Sequence, residues 1–369
     1  MSTEEYSMLS SDGSQEVIKT KTKTNTKTKT ATKAAQPQEQ QVQNQTFQVH
    51  EIDNLTSAGI AAGDISRLKE AGIQTIEGLQ MMTKKQLSVI KGISEAKVDK
   101  LISAAISLLS RDQIVTADVV LAKRANLLRL STGSNDLDAL LKGGIESMQI
   151  CEVFGEFRCG KSQLCHTLAV TGQHPNIAGK QQEGAYKVVY IDTESTFRPE
   201  RIDMIATRYG LDPKQVLKNI YVSRVYNHEQ QMQALSLLPQ LLVKDKFSII
   251  IIDSITALFR VDFSGRGELA DRQQKLGQHL SQLIKLSEEF NLVVFITNQV
   301  MSDPSGAVFV ANSSKPIGGH VLSHASTTRI SLRKGRGECR IAKIYDSPSL
   351  PEGEATFQIT DGGIDDAQE

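Results

Sequence analysis

Neither sign of charge is in excess in this chain: 42 lysines and arginines balance 42 aspartates and glutamates over 369 residues. No global field marks a polyanion partner, so any contact with nucleic acid has to come from local patches. No apolar run reaches about 18 residues and no charged-then-apolar leader opens the chain, so neither a membrane span nor secretion is expected. Cysteine is scarce. Cys151, Cys159, Cys165 and Cys339 form no C-x-x-C pair, which fits a soluble protein of a reducing intracellular compartment and offers no thiolate metal site. What is present is globular material: 39% hydrophobic content at this length supports one large α/β core with a small companion domain.

The densest signal is Gly155-Glu156-Phe157-Arg158-Cys159-Gly160-Lys161-Ser162, a full match to G-x-x-x-x-G-K-[ST]. A β-prone stretch, Met148 to Phe154, precedes it, and a helical apolar pattern from Gln163 to Gln173 follows. This is the strand, loop and helix context that the phosphate-binding loop requires. Gly155 and Gly160 let the backbone N–H groups face phosphates at the positive end of a helix. Lys161 is placed to reach the β- and γ-phosphates, and the Ser162 hydroxyl to coordinate Mg²⁺.

Three further apolar runs end in polar residues. Phe247 to Asp253 reads as a parallel strand buried on both faces, with Asp253 emerging at its carboxyl edge. That carboxylate suits the Mg²⁺ shell, or caps the helix that follows. Val188 to Glu194 is a similar strand, and Glu194 is the best candidate to orient or deprotonate a hydrolytic water. Asp192 is the alternative, and helix capping is the bland reading of both acids. Leu292 to Gln299 ends in two amides, of which Gln299 can sense a γ-phosphate without repelling it.

These segments, with Phe197-Arg198-Pro199-Glu200-Arg201, Ser264-Gly265-Arg266-Gly267-Glu268-Leu269 and Lys315-Pro316-Ile317-Gly318-Gly319-His320, resemble the eukaryotic RecA-like DNA strand-exchange recombinases over residues 51 to 369. Gly144 to Met148 and Pro351 to Phe357 are similar to the meiosis-specific branch. The resemblance implies a doubly wound α/β RecA-like P-loop ATPase core over residues 130–369, with a central, mostly parallel sheet. It also implies ATP held by residues Gly155 to Ser162 and Gln163, Arg201 against the base, and a segment from Asp346 to Pro351 capping the adenine of a neighbouring subunit. Glu194, Gln299 and Lys161 are then catalytic. Cys159 stands where threonine is usual, and Ser195 where glycine usually follows the glutamate.

The rest of the chain divides by composition. Residues 1–50 carry the Lys/Thr repeat Lys19 to Thr30 and a Gln-rich stretch, with too little apolar surface to offset ordering. Disorder is expected there, as a basic arm or as a solvated tail. Residues 51–110 show helical periodicity in Ile65, Leu68 and Ala71, then Leu79, Met82, Leu87 and Ile90, then Val98, Leu101 and Ile102. The turn Lys91 to Lys97 looks like a helix-hairpin-helix, able to hold a DNA phosphate through backbone N–H groups, and a purely structural helical module is the other reading. Residues 111–129 form a linker. Its Ile114-Val115-Thr116-Ala117 stands where the family carries a Phe-x-x-Ala segment that docks on the adjacent subunit, so Ile114 and Ala117 are the expected interface residues.

By the same resemblance, Arg260, Phe263, Arg266 and Arg272 of one loop, and Val308, Gly318 and Gly319 of a second loop at 301–319, contact DNA. The implied function is ATP-dependent homologous pairing and strand exchange by nuclear filaments of this chain on single-stranded DNA, with duplex DNA and accessory recombination proteins as partners. The mitotic-type recombinase and a non-exchanging ATP-binding paralogue are the alternatives. The second would be expected to lack Glu194 or the loop arginines, and a helicase of the same core class would need a second motor core.

Overall fold

The computed structural model describes residues 47–109, 114–174, 185–265, 267–302 and 314–368. The Lys/Thr repeat lies outside them. A 3-10 turn at Ile52–Ala58 opens a helical domain of α1 (Ala62–Glu70), α2 (Ile76–Gln80), α3 (Lys84–Ser88) and α4 (Glu95–Leu109). Ile65, Leu68, Leu79, Leu87, Val98 and Leu101 bury together there with Ile52 and Leu55, and Met82, Ile90 and Ile102 pack around them. Ala71 ends α1 as its exposed C-cap. Two of the helices begin at capping threonines: Thr75 accepts from the Gly78 N–H, and Thr83 forms a reciprocal capping box with Gln86. α5 (Ala117–Arg124) lies within the segment read as a linker and buries none of its residues.

After β1 (Arg129–Leu130), α6 (Asn135–Leu140) and β2 (Ile145–Glu146), the core alternates strand and helix. Its elements are β3 (Gln149–Gly155), α7 (Lys161–Thr171), β4 (Lys187–Asp192), α8 (Pro199–Arg208), α9 (Pro213–Lys218), β5 (Ile220–Arg224), α10 (His228–Leu242), β6 (Phe247–Asp253), α11 (Ala257–Asp262), α12 (Leu269–Phe290) and β7 (Val293–Asn298). A ribbon of β8 (Val300–Ser302) and β9 (Ser314–Pro316) leads to α13 (Gly319–Ala325). The chain closes with β10 (Thr328–Lys334), β11 (Cys339–Asp346), β12 (Glu354–Thr360) and β13 (Gly363–Asp366). The nine-stranded sheet runs β13-β12-β11-β10-β3-β7-β6-β4-β5. From β10 to β5 it is parallel, and from β10 to β13 antiparallel.

The period of two along a strand explains why the central runs are apolar throughout. Val188, Tyr190, Ile249, Ile251, Val293 and Phe295 face one layer with Leu164, Leu168, Ile202 and Ile205. Val189, Ile191, Ile250, Ile252, Val294 and Ile296 face the other, with Leu235, Leu276, Leu280 and Leu283. Both faces are covered by helices, so a polar residue inside these strands is buried on either face and has to find a partner there, as Glu152 of β3 does in Arg329 of β10.

The helical domain is tied to the core through α12. Thr75 hydrogen-bonds the buried carboxyl of Glu289, and Lys285 donates to the Met81 carbonyl at 2.9 Å. Val49 packs against the core, and His50 holds Glu77 at 2.7 Å. Burial raises the Glu289 carboxyl from its ordinary 4.5 to about 7, opposed by the Thr75 hydrogen bond and assisted by the nearby Glu77 charge. The folded form therefore keeps a proton that the unfolded chain releases near 4.5. The stabilisation is complete below that value and is lost as pH rises to about 7, by roughly 3 kcal/mol in all. Denaturant melts at about pH 5 and about pH 8 should show this loss in the wild type, and Glu289→Gln should flatten the difference.

Candidate functional site

Because β3, β4, β6 and β7 are parallel, their carboxyl ends, Gly155, Asp192, Asp253 and Asn298, line one edge of the sheet. The phosphate loop starts where a side chain would not fit. A Cβ on Gly155 would stand 2.3 Å from the Leu332 carbonyl oxygen and 2.8 Å from the Cys159 sulfur. Gly160 caps α7 with φ 101°, a left-handed conformation that glycine adopts freely. Lys161 Nζ lies across the loop, donating to the carbonyls of Gly155 and Glu156 at 2.8 Å each. Among the described residues it forms no salt bridge, and the first turn of α7 carries no acid. A concave backbone, an uncompensated cation and a helix N-terminus together fit a polyphosphate. Cys159 is buried beside Lys161, its sulfur 3.6 Å from Nζ, and burial pushes its thiol up. Glu156, Phe157 and Arg158 are exposed on the outer side of the loop, and the Arg158 guanidinium lies 5.6 Å from the Phe157 ring centroid.

The three acids differ sharply. Asp192 is buried, and its oxygens accept the backbone N–H groups of Glu194, Thr196 and Phe197, with Arg224 at 3.4 Å. It shapes the loop after β4 through these hydrogen bonds, whereas the Glu194 carboxyl is exposed at the edge. Asp253 accepts the hydroxyls of Thr297 at 2.6 Å, Thr196 at 3.0 Å and Tyr190 at 3.2 Å. Glu194 is exposed, and its carboxyl accepts the Gln299 amide and, at 3.5 Å, the Ser254 hydroxyl. Desolvation of the carboxyl and the Asp253 charge raise it, against the Gln299 hydrogen bond and Lys161. A carboxylate moved up from the ordinary range is better matched to accept a proton near neutral pH. Ser195, beside it, has φ 60°. That left-handed backbone costs a residue with a Cβ about 1 kcal/mol and accounts for glycine being usual there.

His166 was not singled out by any sequence pattern. Its Nε2 accepts the Arg198 N–H at 2.9 Å, so Nδ1 carries the proton and donates to the Ser162 carbonyl at 2.5 Å. Burial lowers its pKa, which keeps it neutral in this role. The ring stacks on Phe197 at 5.6 Å and so ties α7 to the loop carrying Glu194. A lone histidine four residues after Ser162 was the only available signal. Arg201 is anchored on Gln163 at 3.2 Å and on the Thr360 and Asp361 carbonyls at 2.7 and 2.8 Å, which places it beside the first turn of α7. Asp346 and Pro351 are not brought to this edge. β11 is antiparallel to β10 and places Asp346 opposite Arg329, so the chain leaves it heading away from the phosphate loop.

On the other side of Glu194, the Gln299 amide oxygen accepts from Arg260 at 2.9 Å. One amide thus bridges the candidate base and Arg260, which the structure places in the last turn of α11 and not in the loop the sequence suggested. Phe263 ends α11 against the His228 ring at 4.6 Å, and Asp262 is held by His228 at 2.7 Å. Glu268 accepts the Gly265 N–H at 2.7 Å. Arg272 lies on the first turn of α12, and among the described residues neither it nor Arg260 forms a salt bridge. Gly318, with φ 108°, and Gly319, with φ 60°, open α13, where His320 and the exposed His324 stack at 6.1 Å. Arg266 and Val308 lie outside the described residues. In the helical domain, Lys84 and Lys97 are engaged by Asp99 at 2.6 Å and Asp64 at 2.8 Å, while Lys85 and Lys91 are exposed. Ile114 is 93% exposed and Ala117 is also exposed.

A parallel sheet with this loop after β3, an acid after β4 and β6, and amides after β7 defines a RecA-like P-loop ATPase core. Residues 123–367 match the family described as Rad51, and the chain belongs to that family. It is 56% identical over 319 residues to a meiotic recombination protein DMC1 homolog of Glycine max, covering 86% of this chain and 91% of that one. With the DMC1/LIM15 homolog of Homo sapiens it shares 55% over 322 residues, covering 86% and 94%. The homolog of Arabidopsis thaliana is 54% identical over 319 residues, covering 86% and 91%.

Lys161→Ala should abolish productive ATP binding, read by nucleotide-binding titration. Lys161→Arg should keep binding better than turnover, since a bulkier planar cation misplaces the γ-phosphate. Unchanged ATPase in the alanine variant would remove the loop from the site.

Proposed function

We propose that this chain is an ATP-dependent DNA recombinase that forms filaments on single-stranded DNA and catalyses homologous pairing and strand exchange in meiotic recombination and double-strand-break repair. The observation that carries this reading is the Glu194–Gln299–Arg260 bridge, which joins the proposed hydrolytic carboxylate to a proposed DNA-contacting arginine of α11 through one amide. Nucleotide state and DNA contact thereby share a hydrogen-bonded group. The relatives' names, which specify meiotic recombination, support the biological setting. The protein works in the nucleus, with accessory recombination proteins.

ATP binds with its phosphates over residues 155–163 and its base against Arg201. Ser162 and Asp253 offer oxygen ligands that would suit Mg²⁺, which when bound would supply neutralisation of phosphate charge. Asp253 already accepts three hydroxyls, so it acts on the ion's surroundings more than as a free ligand. Glu194 takes the proton of the attacking water while Gln299 holds the carboxylate's orientation. Lys161 holds the phosphates.

The filament joins copies of this chain. Ile114 and Ala117 dock on a neighbour, and the open edge strand β5, with Tyr221 and Val222 exposed, offers backbone groups to such a segment. Asp346 to Pro351 serve the nucleotide of the adjacent copy, which accounts for their lying away from this chain's own loop. Arg260, Arg266, Arg272, Phe263, Val308, Gly318 and Gly319 face the DNA, and base pairing reads the sequence.

Two outcomes test this. Glu194→Gln should slow ATP turnover by about two orders of magnitude or more and leave ATP-dependent filaments on single-stranded DNA visible by electron microscopy; filaments lost with normal turnover would be the wrong pattern. Arg272→Ala should weaken single-stranded DNA binding equally for all sequences and reduce the slope of log K against log salt by roughly 0.7, with ATP binding intact. An unaltered slope and affinity would take Arg272 out of the DNA site.

A further inference from the structure

Beneath the catalytic edge lies a buried polar chain that no sequence motif marks. Glu152, in the middle of β3, is fully buried. Its oxygens accept Arg329 Nε at 2.7 Å and Nη2 at 3.5 Å, and Oε1 also accepts the Asn298 amide at 2.8 Å. Asn298 Nδ2 donates in addition to the Ile317 carbonyl at 2.7 Å. Its Oδ1 accepts both the Thr256 hydroxyl and the Gln299 N–H at 2.8 Å. Both protons and both lone pairs of this amide are therefore used, which fixes its orientation. On the far side, the Arg329 guanidinium lies against an edge-to-face pair of rings, 5.4 Å from the Phe154 centroid and 5.2 Å from that of Tyr345.

Stability alone is a poor reason for this arrangement. A buried ion pair must overcome the desolvation of both charges, and well-packed neutral residues of similar volume often serve the fold as well or better. What the pair does is orient Asn298, and Asn298 holds three elements that the site needs in register. These are the end of β7 bearing Gln299, the start of α11 that leads to Arg260, and Ile317, whose own N–H returns to the Gln299 carbonyl at 3.0 Å. Without the Glu152 acceptor, one proton of the Asn298 amide has no partner. The amide can then rotate, and the Gln299 backbone loses its fixed acceptor.

We propose that Glu152 and Arg329 are positioning residues for ATP hydrolysis, acting through Asn298 to aim Gln299 at Glu194. The inference rests on the reading of Glu194 and Gln299 as the hydrolytic pair. The test uses the full chain, with ATPase measured on saturating single-stranded DNA alongside thermal melts. In the double variant Glu152→Leu with Arg329→Met, the fold should be retained, while kcat falls about tenfold and the KM for ATP stays within about twofold. In Glu152→Gln with Arg329→Met, the glutamine oxygen still accepts from Asn298, and kcat should return to within about threefold of wild type.

A merely structural role predicts that activity follows melting temperature in both variants. Wild-type kcat in the leucine variant, equal slowing in the glutamine variant, or a rise in KM in place of a fall in kcat would each overturn the proposal. So would failure of the leucine variant to fold, because that result would assign the pair to stability. A Glu194→Gln protein that turns over ATP normally would instead sink the hydrolytic pairing, and that is a separate measurement.

Discussion

The parallel pairing of β3, β7, β6 and β4 is the constraint on which the site depends. Because these strands are covered on both faces, their side chains are mostly committed to two apolar layers, and the polar groups that reach solvent stand at the strand ends. Because they run the same way, those ends coincide. The phosphate loop, the loop after Asp192, Asp253 and the amides of Asn298 and Gln299 become neighbours although they are spread over about 150 residues of chain. The close approach of Gly155 to the Leu332 carbonyl belongs to the same geometry, since β10 pairs in parallel beside β3.

Charge at this edge is handled by saturation. Asp192 is occupied by backbone N–H groups and Asp253 by hydroxyls, so two of the three carboxylates are fixed in place. Lys161 is left with carbonyl partners, and Glu194 is left exposed and shifted upward by desolvation and by Asp253. These are the two groups to which the proposed function assigns the triphosphate and the attacking water.

The surfaces that point away from the chain's own site are equally consistent. α5 buries nothing, Ile114 is free in solvent, β5 is an open edge, and Asp346 lies away from the phosphate loop. The proposed filament would give each of these features a partner on a neighbouring copy. The helical domain, by contrast, is bound to α12 through the Thr75–Glu289 and Lys285–Met81 hydrogen bonds.

The sequence by itself determined the local elements with strong periodicity. The four central strands, the phosphate loop, the buried faces of the helical domain and the family were legible because long apolar runs and a fixed loop spacing depend only on neighbouring residues. β5 and the C-terminal antiparallel strands were not foreseen, being short, alternating or half-exposed, and such patterns resemble loops until pairing partners are known. Only the tertiary structure shows that Asp192 is engaged by backbone N–H groups while Glu194 is exposed, which favours Glu194 in the proposed role. It alone placed His166 under the Glu194 loop and closed the chain from Arg329 through Glu152 to Asn298. Those contacts join residues far apart in sequence, and their meaning lies in which lone pairs and protons are already taken, a property that no single segment carries.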